Sequence, residues 1–144
     1  VSHRGTVRRS NQDAVLVEGA ILRDQEREGR IELGSAPTIL AVADGMGGHA
    51  RGDFASSEAL DRLRTDAPLA PADIQRSLLA AHAALLAHRD GRGTTFCGLW
   101  LSAKPGGGSV NALAANAGDS RVYRWQDGFL SQISRDHASA AGLR

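Results

Sequence analysis

A chain of 144 residues with 42% hydrophobic and 23% charged side chains has the length and composition of one folded, water-compatible domain, and is too short for two comfortable ones. Its formal net charge is only +1 and its basic residues form neither a run nor a stripe, which argues against nucleic acid or a membrane surface as partner. The lone Cys97 excludes an intrachain disulfide and a multi-thiolate zinc site, and no apolar run reaches the ~20 residues of a membrane span, so a cytoplasmic protein is expected.

The chain opens on Val1 rather than Met, so a preceding segment and any targeting sequence in it are left open. The stretch DAVLVEGAILR (13 to 23) holds two short β-type runs around Gly19, the grammar of a hairpin, and the charged DQEREGR that follows reads as a solvated loop. TILAVAD (38 to 44) is apolar almost throughout and predicts a strand buried on both faces, which would carry Asp44 to a sheet edge. In DFASSEALDRLR (53 to 64), Phe54, Ala55, Ala59, Leu60 and Leu63 recur at helical spacing. A second helix is predicted over 71 to 89, with Pro71 in its first turn and an apolar face of Ile74, Leu78, Leu79, Ala81, Leu85 and Leu86. Residues 95 to 101, 109 to 116, 120 to 125 and 129 to 134 then read as successive strands of a meander, the last two joined by the turn Asp127-Gly128. Cys97, between Phe96 and Gly98, reads as a core thiol rather than a nucleophile. Strands, two helices, then strands describe an α+β layering.

The stretch ILAVADGMGGHARG (39 to 52) concentrates the chemistry. An Asp-Gly pair is ordinarily a tight turn, because glycine supplies the positive φ such turns need. Here, however, the acid ends an apolar strand, and Gly45, Gly47 and Gly48 exceed what one turn requires. Backbone without side chains leaves carbonyls and amides open to an ion or a phosphate. The stretch has neither a Gly-Lys-Ser/Thr ending nor G-x-G-x-x-G spacing, and Met46 stands where a strand-end aspartate nucleophile would have its second acid. A metal-bridging role for Asp44 survives these exclusions best.

With GTVRRSNQD, VADGMGGHARG, GTT, AGDSRVY and SRDH in that order along the chain, the sequence resembles the metal-dependent PP2C-type (PPM) serine/threonine protein phosphatases of the bacterial branch. The resemblance implies a PP2C-like αββα sandwich, two antiparallel sheets flanked by helices, with residues 1 to 144 forming its N-terminal portion. It also implies two Mn²⁺ or Mg²⁺ ions, with a third in some bacterial relatives, and a metal-activated water that hydrolyses phosphoserine or phosphothreonine. The partners implied are a phosphorylated protein substrate and a Ser/Thr kinase of the same pathway, and the expected state is a monomer.

Residue by residue, Asp44 matches the bridging acid and the Gly45 carbonyl the neighbouring backbone ligand. Arg8 matches the arginine that grips the substrate phosphate, and Asp13 an acid that acts near the metals directly or through water. Asp119 matches an acid that helps hold a third metal, and reads equally well as a turn-forming Asp. Ser120 and Arg121 are expected to stabilise that turn, and Thr94 and Thr95 to be structural hydroxyls.

The sequence departs from the family pattern in three places. Gln12 replaces the usual Glu, and Met46, which cannot donate a proton, stands where many eukaryotic relatives carry a histidine; none of His49, His82, His88 and His137 is expected to replace it. Relatives continue through a flap to two further metal-binding aspartates, so residues 1 to 144 alone are expected to bind Mn²⁺ poorly and to be inactive. The alternative reading is a catalytically inactive PPM-fold module that binds phosphoproteins or regulates.

Overall fold

The computed structural model describes residues 2–47, 50–66 and 70–137. The expectations for Gly48 and His49 therefore lie outside the described residues. Strands β1 (Ala14–Val17) and β2 (Ala20–Leu22) form the expected hairpin, whose two-residue turn places Glu18 and Gly19 at φ 48° and 74°. β3 (Thr38–Ala43) and the two-residue β4 (Gly45–Met46) follow, then α1 (Ala50–Asp66) and α2 (Pro71–Ala87). The chain returns through β5 (Gly93–Thr94), β6 (Phe96–Ala103), β7 (Val110–Ala117), β8 (Tyr123–Gln126) and β9 (Phe129–Gln132).

Five strands make one antiparallel sheet in the order β2-β1-β3-β6-β7. β3 is therefore the middle strand, and Asp44 lies at its C-terminal end rather than at a sheet edge. β4 pairs with β5, and β8 with β9, as separate two-stranded ribbons; the meander expected after the helices is thus split between the sheet and a ribbon. The result is an α+β fold with antiparallel sheets and two helices, and it covers part of the four-layer sandwich.

One face of the sheet carries the core. Ala14, Leu16, Ile39, Ala41, Ala43, Phe96 and Trp100 pack against Leu60 and Leu63 of α1 and Ile74 of α2. Two helices cover this face because each presents an apolar stripe at 3.6-residue spacing to a pleated surface with period two. The other face is open, which corrects the expectation that β3 is buried on both sides: Thr38 and Leu40 are half-buried and Val42 is exposed. Cys97 pairs with Val42 on that open face, so it is a half-buried sheet residue and not a core thiol. Burial pushes its pKa up, which disfavours the thiolate.

The helices also narrow their predicted faces. On α2, Ile74, Ser77, Ala81 and Leu85 are buried, while Leu79 and Leu86 are exposed, because both lie more than about 100° round the axis from Ile74. On α1, Phe54 leaves the core and lies under the Arg92 guanidinium, 4.5 Å from the ring centre, with His88 edge-on. Among the described residues no helix is long and apolar enough to cross a membrane.

Candidate functional site

β1 and β3 run antiparallel with Ala14 opposite Ala43. One step beyond each pair member stand Asp13 and Asp44, so the register itself brings the two acids together. Ala14 and Ala43 point into the core, and the alternation of the pleat turns their neighbours to the open face. The site is thus a polar rim at one end of the sheet.

The backbone around Asp44 is held from three sides. Its N–H donates to Thr95 Oγ1 at 3.1 Å, and its carbonyl accepts from the Thr95 N–H at 2.9 Å and from Thr94 Oγ1 at 3.0 Å. Thr94 and Thr95 are structural hydroxyls, as expected, and what they fix is the bridging-acid candidate. The Gly45 N–H donates to Gln12 O at 3.2 Å. Gly45 is buried, and a Cβ there would collide with Gly52 O and lie 2.5 Å from Gln12 O. Three backbones meet at that point, and only glycine allows it.

Asp13 follows an Asx turn in which its N–H donates to Asn11 Oδ1 at 3.1 Å. Its Oδ1 is buried and meets no hydrogen-bond donor. The Asp44 carboxyl is held above its usual pKa, first by desolvation against the surrounding backbone and next by the charge and hydrogen bonding of Asp13. Arg8 pulls it down and Asp119 pushes it up, so both lie within electrostatic reach. Such a pair is what a hard divalent cation satisfies and protein donors here do not. Among the described residues no three His, Cys, Asp or Glu side chains come together closely enough to hold a metal, so Asp13 and Asp44 are a pair of acids short of an enclosing set.

Asp119 occupies the turn after β7, and Thr95 ties that turn to the site. Thr95 Oγ1 and Ser120 Oγ are 2.6 Å apart, and a Cβ on Gly118 would lie 2.9 Å from Thr95 Cγ2. Arg121 pairs with Asp136 at 2.6 Å, and His137 braces the same turn, its N–H donating to Gly118 O at 2.9 Å and its Nδ1 accepting from the Gly118 N–H at 3.3 Å. Ser120, Arg121 and His137 are structural, as expected. His88 pairs with Glu58 at 3.1 Å on the helices, and His82 is an exposed residue of α2. A mostly apolar cleft of about 670 Å³ between α2 and β6–β7 meets the site at Met46, Gly93, Thr94 and His137.

Sequence reasoning missed Asn11, Arg23, Gly52 and Ser56. Ser56 is fully buried on α1 and donates to Gln12 O at 2.6 Å. Gly52 lies where a Cβ would stand 2.9 Å from the Gly45 carbonyl carbon. No local pattern marks Gly52 or Ser56 for these contacts, because Gly45 is 7 and Gln12 is 44 positions away.

No family model matches the chain. It is 33% identical to the serine/threonine protein phosphatase PstP of Mycobacterium tuberculosis over 147 residues, covering 94% of this chain and 24% of PstP. It is 28% identical to the serine/threonine phosphatase stp of Listeria innocua, again over 94% of this chain and 52% of the relative. Among solved structures, the PPM Ser-Thr phosphatase MsPP from Mycobacterium smegmatis, in complex with cacodylate, superposes with a TM-score of 0.67 at 30% identity, over 95% of this chain and 52% of that one. The chain thus spans about a quarter to a half of the proteins it matches.

Proposed function

The chain belongs to the bacterial PPM (PP2C-type) serine/threonine phosphatases, and on that premise we propose that its full-length protein is a metal-dependent phosphatase for phosphoserine and phosphothreonine in proteins. The observation that carries the metal-dependent part is the buried, donorless Asp13 Oδ1 beside Asp44. Mn²⁺ or Mg²⁺, two ions with room for a third, would supply an activated water and neutralise charge on the phosphoryl group.

Each residue then has a defined task. Asp44 and the Gly45 carbonyl would hold the ions, and Asp13 would contribute its unpartnered oxygen directly or through water. Asp119 would serve a third ion. Arg8, exposed beside Asp44, offers a guanidinium fork to two phosphate oxygens. The M. smegmatis relative is in complex with cacodylate, a tetrahedral arsenic oxyanion, and anion binding by that protein agrees with this reading. The proton for the leaving serine oxygen comes from water or another group, because the Met46 thioether has none to give. Two hard cations want more oxygen ligands than these residues hold. The relatives extend well beyond the matched span, and we place the remaining ligands there, with residues 1 to 144 as the N-terminal portion of one domain.

Cytoplasmic action as a monomer opposite a Ser/Thr kinase completes the proposal. A regulatory, non-catalytic module is the second reading, favoured by the neutral Gln12. The full-length protein assayed on a phosphothreonine peptide decides between them. Mn²⁺-dependent release of phosphate that is lost with EDTA and with Asp44→Asn supports the phosphatase, and metal-independent binding without turnover supports the module.

A further inference from the structure

Arg23 closes β2, and its half-buried guanidinium faces no carboxylate within ion-pair distance among the described residues. All of its observed bonds go to neutral oxygens. Nη1 donates to the carbonyls of Asn11 at 2.8 Å and Asp13 at 2.7 Å. Nη2 donates to the Asp53 carbonyl at 2.8 Å and to Ser56 Oγ and Ser57 Oγ, both at 2.9 Å. One rigid plane therefore joins the segment that carries Asp13 to the first turns of α1. Those turns also bring Gly52 against Gly45, the residue after Asp44. Ser56 closes the loop by donating to Gln12 O, the same carbonyl that accepts from the Gly45 N–H.

We propose that Arg23 is a positioning residue for the metal site, fixing the Asp13 carboxylate relative to Asp44 by clamping residues 11–13 onto α1. The inference rests on the metal-dependent reading above. A lysine cannot substitute, because an ammonium has one donor centre where this site uses two nitrogens held in a plane. Asp13 Oδ1 has no hydrogen-bond partner of its own, so its direction depends on the backbone that Arg23 holds. Residues that orient metal ligands in this way typically control affinity by ~10- to 100-fold.

The test uses the full-length protein. Mn²⁺ binding is titrated calorimetrically without substrate for the wild type, Arg23→Met, Arg23→Lys and Asp44→Asn, with thermal melts alongside. Arg23→Met is expected to fold and to bind Mn²⁺ ~10- to 100-fold more weakly, with Arg23→Lys recovering little. Saturating Mn²⁺ is expected to restore turnover with the KM for a phosphopeptide unchanged, which a general loss of structure would not do. Wild-type Mn²⁺ affinity in a folded Arg23→Met or Arg23→Lys overturns the inference, and so does failure of both variants to fold, which would assign Arg23 to stability alone. Wild-type Mn²⁺ affinity in Asp44→Asn instead overturns the metal-dependent reading, and this inference falls with it. Loss in Asp44→Asn with no change in the Arg23 variants overturns only the role of Arg23.

Discussion

Asp13 stands opposite Asp44 because Ala14 pairs with Ala43 across β1 and β3. The two acids are 31 residues apart in sequence and become neighbours only through that register. The Asp44 carboxyl is held above its ordinary pKa first by desolvation and next by the neighbouring Asp13.

Asp13→Asn removes the charge that pushes Asp44 up. In metal-free protein the Asp44 pKa is expected to fall but to stay above its ordinary value, because desolvation, its largest cause, remains; carbon NMR of the carboxyl follows it. An unchanged Asp44 titration would show that the two acids are not coupled.

Gly45→Ala forces a methyl into Gly52 O and Gln12 O, both backbone atoms with no rotamer to yield. Overpacking of this kind costs about 1–3 kcal/mol. Urea unfolding is expected to show a loss in that range, together with weaker Mn²⁺ binding.

Thr95→Val keeps the shape of a buried side chain but removes the acceptor of the Asp44 N–H and the partner of Ser120 Oγ. Buried groups left without partners cost about 1–3 kcal/mol. Thr94→Val, which leaves the Asp44 carbonyl its bond from the Thr95 N–H, is expected to cost less. Equal losses in chemical denaturation would contradict this ordering.

Arg8→Ala removes the proposed phosphate fork without touching the acids. Hydrogen bonds to charged groups contribute about 1.5–3 kcal/mol, so inorganic phosphate is expected to inhibit the proposed activity of the full-length protein about 10- to 100-fold more weakly. Mn²⁺ affinity measured without phosphate should not fall, because the acids stay in place and a cation within electrostatic reach of Asp44 is removed.

Asp136 is held below its usual pKa, chiefly by its bonds to Arg121. A depressed carboxylate stabilises the fold above its unfolded pKa, and that contribution fades as pH falls through the folded value. Asp136→Asn is therefore expected to speed hydrogen exchange at the Ile133 N–H, which donates to Val122 O, at neutral pH. The difference from wild type should begin to fade below the ordinary Asp value of 3.8 and vanish only once the pH is below the depressed folded value.

Much of the local structure was legible in the chain. The Glu18-Gly19 and Asp127-Gly128 turns, the Pro71 helix start and the apolar stripe of Ala55, Ala59, Leu60 and Leu63 depend on neighbours within a few residues. Asp44 among glycines, and the order of motifs from Arg8 to Asp119, likewise lay open to reading. The β4–β5 ribbon did not, because two-residue strands carry no periodicity and form only when Gly45 and Thr94 meet.

Sequence alone determined which residues could turn, which could line a core, and which acids and arginine could serve a phosphoryl site. Tertiary structure decided the rest. It left one face of β3 open, set Asp13 against Asp44, pressed Gly45 on Gly52, and gathered five neutral oxygens around the Arg23 guanidinium. The physical reason is range: propensity and periodicity act over a few residues, whereas register and close backbone approach are settled by packing between segments distant in the chain.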